Sequence, residues 1–123
     1  MSLKGVMIVQ AIVLALYGLP YLLVPANAQV FTGRAPVPET YFLRVIGITF
    51  VVLAWLEFQI VTDLSRHREL TLTSAIIPTG FFITIALQLV TTGFNEAVWY
   101  WWLNLVITGA FAIAMFTARK GPA

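Results

Sequence analysis

The chain has 123 residues, of which 60% are hydrophobic and 10% charged, with a net charge of +2. A soluble domain carries about 25% charged residues, and a chain this short has too much surface to hide a mean hydropathy of +0.92 from water, so hydrocarbon is the expected solvent. The small net charge argues against nucleic acid as a partner. The lack of cysteine excludes disulfides and thiolate chemistry, and the single histidine, His67, excludes a multi-histidine metal site within one chain.

Four apolar stretches approach the roughly 20 residues that cross a bilayer as a helix. They run over 5–24, 41–62, 72–93 and 98–118. Each is continuously apolar rather than alternating, which favours helices over barrel strands. The expected fold is therefore all-α, a single polytopic four-helix membrane bundle running up-down-up-down.

The first stretch follows Lys4 and contains Gln10, Tyr17, Gly18, Pro20 and Tyr21. Pro20 removes a backbone donor and frees the carbonyl of Leu16. Ala26-Asn27-Ala28 after this stretch looks like a secretory cleavage site, but the apolar run exceeds the ~7–15 residues of such a signal. A retained span is the preferred reading. The Pro-rich connection over 25–39, with Arg34, reads as a loop.

The second stretch holds two ionisable groups. Arg44 sits one turn inside it, and Gly47, three residues on, shares its face and permits a close helix approach. An arginine at this depth either snorkels to the headgroups or turns inward to polar partners. Glu57 lies about a turn and a half from the other end, at the depth of Gln10, which makes Gln10 and Glu57 a natural intramembrane pair. Thirteen residues separate Arg44 from Glu57, about 20 Å along the helix, so they cannot pair with each other.

Asp63, Arg66, His67, Arg68 and Glu69 form a charged turn before the third stretch. In that stretch Pro78 frees the carbonyl of Ser74, and Gly80, Thr84, Gln88 and Thr91 make a polar stripe at helical spacing. A short turn over 94–97 carries Glu96. The fourth stretch opens on Trp99, Tyr100, Trp101 and Trp102, rings suited to the headgroup boundary. Four adjacent aromatics point all round a helix, so a ligand-stacking role falls to the ring facing the bundle, for which Trp101 stands. Asn104 and Thr108 share one face below, and the Gly109/Ala112 and Ala110/Ala114 pairs offer close-packing seams.

Basic residues orient the bundle. Lys4, Arg66, Arg68, Arg119 and Lys120 flank one side of the four spans and Arg34 the other, which predicts cytoplasmic N and C termini. The expected location is the bacterial inner (cytoplasmic) membrane.

Gly18-Leu19-Pro20-Tyr21-Leu22-Leu23-Val24-Pro25, then Phe31-Thr32-Gly33, then Tyr41-Phe42-Leu43-Arg44-Val45-Ile46-Gly47 together resemble the small DoxX-like membrane proteins over the first half of the chain. The resemblance implies a four-helix bundle, membrane redox partners and a link to quinone. It carries over no catalytic residue.

Three functions follow as expectations. The first is an accessory protein packing against a membrane-protein partner or a second copy of itself, in contact with membrane lipid. The alternative is a binder or enzyme for a lipophilic small molecule, quinone- or lipid-like, in an outer-half site built from Tyr17, Arg44, Gln88, Asn104 and Trp101. A further alternative is an oligomeric transporter using Glu57 as its proton carrier. No catalytic constellation is legible and no resident cofactor is required, so an enzyme is the less favoured class.

Overall fold

A computed structural model describes residues 2–33, 40–92 and 99–120. It is all-helical over these residues: α1 (Leu3–Leu23), α2 (Pro25–Phe31), α3 (Tyr41–Thr62), α4 (Thr71–Thr92) and α5 (Trp99–Arg119), with a 3-10 turn over Arg68–Leu70 leading into α4. Four of these helices are long and apolar enough to cross a membrane. The molecule is an integral membrane helical bundle, and the four spans lie within two residues of those expected from hydropathy. Arg34, Glu39 and the turn over 94–97 with Glu96 lie outside the described residues.

The unexpected element is α2, which occupies the start of the connection read as a loop. Its reason is local. Pro25 stands at the first helical position, where its missing donor costs nothing, and Ala26, Ala28 and Gln29 are good helix formers. Val24, at φ −135° and ψ 60°, breaks the chain direction between α1 and α2. Gly33 ends α2 with φ 86°, a left-handed conformation that glycine adopts without steric cost, and its N–H returns to the Val30 carbonyl at 3.0 Å.

Neighbouring long helices alternate in direction. One core cluster gathers Leu3, Val6 and Met7 from the start of α1, Ile60 and Val61 from the end of α3, Ala75 from the start of α4 and Met115 from the end of α5. Leu64 closes it from the turn after α3. Polar stitches hold the same end: the Arg68 Nη2 donates to the Arg119 carbonyl at 3.1 Å, and the Arg119 Nε donates to Thr71 Oγ1 at 3.0 Å. The charged turn thus ties the last helix to the third span.

Packing is otherwise pairwise, α1 against α3 and α4 against α5. The α1–α3 crossing sits at Gly18 and Gly47. A Cβ on Gly47 would lie 2.5 Å from the Leu22 backbone nitrogen and 2.7 Å from the Gly18 carbonyl oxygen, so the two backbones touch. In the other pair, the Phe82 ring lies against Gly109, where a Cβ would sit 3.1 Å from it. Phe50 of α3 and Phe81 of α4, with ring centroids 5.3 Å apart, bridge the pairs at mid-height. Among the described residues the only buried side chain of α5 is Met115, at the end where the four long helices share a core cluster.

Candidate functional site

A cavity of about 400 Å³ lies between the four long helices. Val13 and Leu14 of α1, Leu43 and Ile46 of α3, Ile77 and Ile85 of α4 and Ile107 of α5 supply its aliphatic walls. Phe50, Phe81 and Phe111 supply aromatic surface at mid-height, and Tyr17, Tyr21, Tyr100 and Trp101 supply it at the open end.

Polar groups collect at the two ends. At the open end the Tyr17 hydroxyl donates to Asn104 Oδ1 at 2.6 Å, joining α1 to α5, and the Tyr17 and Tyr100 rings pack with centroids 5.9 Å apart. Thr84 and Thr108 line the middle, but their hydroxyls turn back to the carbonyls of Gly80 and Asn104 on their own helices, at 2.8 and 2.7 Å. Their methyl groups are what remains for the cavity. A second hollow of about 410 Å³ lies on the α2 side, and Tyr17, Tyr21 and Tyr100 wall both spaces.

At the closed end Gln10 reaches the cavity and bonds across the bundle. Its Nε2 donates to Glu57 Oε1 at 2.5 Å and to the Ser74 carbonyl at 2.9 Å. That carbonyl is the one Pro78 releases, since proline has no N–H to offer it. Gln10, Glu57 and Ser74 are only 3%, 1% and 1% exposed. The pairing of Gln10 with Glu57 has the depth and register expected from the sequence; Ser74 completes it and was missed as a partner. Its signal was available, because a proline names the carbonyl it frees four residues earlier.

The outer cluster needs correction. Tyr17, Asn104 and Trp101 line the cavity, but Arg44 and Gln88 are exposed and are not among its described lining residues. Arg44 instead donates from Nη1 to the Leu22 carbonyl at 3.1 Å. The last carbonyls of a helix lack intrahelical partners and carry its negative dipole end, which makes them natural acceptors for a guanidinium. The expected polar stripe on α4 also resolves differently: Thr84 and Thr91 satisfy themselves on their own helix, and a Cβ on Gly80 would meet nothing within 4 Å. Tyr21 and Tyr100 enter the site in place of Arg44 and Gln88.

Of the four aromatics opening α5, Trp99 and Trp102 are exposed while Tyr100 and Trp101 turn to the cavity. Trp99 packs edge-on against Phe31 of α2, with centroids 6.2 Å apart. Comparison with known protein families, with curated proteins and with solved structures returns no match.

Proposed function

We propose that this protein is a membrane-embedded binder of a lipophilic small molecule, held between its two helix pairs. The cavity carries the reading. At about 400 Å³ it falls within the ~300–1,000 Å³ range of ligand sites, with apolar walls and a few polar groups at defined positions. Protein interiors are packed to near-crystalline density, and side chains around an empty space forfeit their dispersion contacts. An occupant drawn from the bilayer restores those contacts.

The resemblance of 18–25, 31–33 and 41–47 to DoxX-like proteins belongs to this proposal and adds quinone-like molecules to lipids as candidate occupants. So does the orientation, with both termini cytoplasmic in a bacterial inner membrane, which rests on the placement of Lys4, Arg66, Arg68, Arg119 and Lys120.

Mild detergent extraction followed by mass spectrometry of bound small molecules tests the reading. A stoichiometric lipophile is expected on the native chain and is lost from Ile107→Trp, which fills the cavity. An empty native protein overturns the proposal. The second reading, an accessory protein for a membrane partner or a second copy, draws on α5, whose Trp102, Val106 and Ile113 form an exposed apolar stripe. A protein recovered in stoichiometric amounts with the cavity empty favours that reading. Glu57 as a proton carrier finds less support, because it is 1% exposed and bonded to Gln10.

A further inference from the structure

We propose that the molecule held in the cavity is a lipophilic cation, an ammonium on an apolar body, with its nitrogen against Gln10 and Glu57 as its counter-charge. This rests on the cavity being a ligand site and names the class of ligand it selects.

The inference starts from the orientation of one amide. Gln10 Nε2 faces two acceptors, Glu57 Oε1 and the Ser74 carbonyl. Only the NH₂ side of an amide can serve both, so Gln10 Oε1 is turned elsewhere. Gln10 Oε1 and Glu57 Oε2 are both buried and, among the described residues, neither has a hydrogen-bond partner. Buried polar atoms are almost always paired. The closed end therefore keeps two acceptor atoms without a donor even with the Ser74 hydroxyl beside Glu57, and Gln10, which is 3% exposed, is also part of the cavity wall. The missing component is a donor arriving from the cavity.

Charge selects among donors. Glu57 has no ion-pair partner among the described residues, and no lysine or arginine is among the described lining residues of the cavity. Arg44, the other ionisable group of α3, is about 20 Å away along the helix and bonded to Leu22. A buried carboxylate without a cation is costly. A hydroxyl brings one donor and no charge; an ammonium brings up to three donors and the missing positive charge.

The walls agree with that choice. Phe50, Phe81 and Phe111 line the space at mid-height, on the Gln10 side of the open-end rings, and aromatic faces attract cations through their quadrupole. Glu57 itself stands one hydrogen bond behind Gln10, so Gln10 is the contact residue and Glu57 supplies the field that makes charge preferable.

The test uses the whole chain in nanodiscs of zwitterionic lipid, with empty nanodiscs subtracted, and two probes of equal shape: phenylbutylammonium and its uncharged twin, phenylbutanol. Equilibrium dialysis should find one saturable ammonium per chain, bound at least about ten-fold more tightly than the alcohol. Glu57→Gln should bring the ammonium down to the affinity of the alcohol. Should that variant fail to fold, the comparison on the native chain decides alone. Equal binding of the two probes, both abolished by Ile107→Trp, overturns the cationic class and leaves the cavity as a ligand site. An ammonium preference that survives Glu57→Gln also overturns it, as does a carboxyl vibration showing Glu57 protonated and paired with the Gln10 amide while the ammonium is bound. Absence of binding by either probe, together with no co-extracted lipophile, removes the cavity reading as well.

Discussion

Arg44 and Gln10 face the same difficulty, a polar group inside an apolar helix, and the fold meets both with a backbone carbonyl at an interruption of a helix ladder. Arg44 takes the Leu22 carbonyl where α1 gives way to α2, and Gln10 takes the Ser74 carbonyl that Pro78 leaves without a donor. The cost of each residue in hydrocarbon was legible from the sequence; the identity of the acceptor was legible only for Gln10, through the proline rule. Arg44 was assigned to the pocket because its depth matched Tyr17 and Asn104. Depth is a linear quantity, and the side of α3 on which Arg44 emerges depends on the crossing with α1. Arg44→Ala is expected to cost about 0.5–1 kcal/mol, the net worth of a modest hydrogen bond at an exposed site. The cavity occupant should be retained, which unfolding titration and lipid mass spectrometry on the same preparation would check.

Glycines set the spacing of the elements, and they are not equivalent. Gly47 lets α1 and α3 meet backbone to backbone, whereas a methyl group on Gly80 meets only open space. Gly47→Ala should therefore force the pair apart and lower stability by about 1–3 kcal/mol, the usual range for overpacking. Gly80→Ala should leave stability unchanged or raise it by up to about 1 kcal/mol through helix propensity. Thermal unfolding of both variants in one detergent gives the comparison, and equal losses would contradict the crossing geometry. Gly47 was legible as a close-approach site from its position near Arg44. Its partner Gly18 was not legible, since a sequence shows that a glycine permits contact and not which helix arrives. The helical start of the 25–39 connection was missed for a related reason: proline reads as a breaker, yet at a first helical position it initiates.

At the scale of the molecule, the four spans share a packed core cluster at one end, and the cavity lies between them toward the other. The core-cluster end holds the start of α1 against the end of α5 through Met7 and Met115, and the Arg68–Arg119–Thr71 stitches tie α5 to the start of α4. The chain has no cysteine, so Ser2→Cys and Lys120→Cys can each be read on an otherwise unreactive background. Both are expected to react with an impermeant maleimide only from the cytoplasmic side of inverted vesicles. Labelling of the two from opposite sides would contradict an even number of spans, and labelling of both from the outer side would reverse the proposed orientation.

Hydropathy alone determined that this chain is helical, how many times it can cross a bilayer and where each crossing begins and ends, because lipid forces every backbone group into its own helix and leaves the length of an apolar run as the only variable. It also located the costly residues. Tertiary structure decided which faces those helices turn to one another: that Tyr17 meets Asn104, that Gln10 binds Glu57 and Ser74 together, and that Arg44 and Gln88 stand outside the cavity. The reason is that in hydrocarbon an apolar helix gains little by choosing one apolar neighbour over another, so its rotation is set by a few contacts, the Gly18–Gly47 crossing and the polar bonds at each end, whose partners lie far apart in the chain.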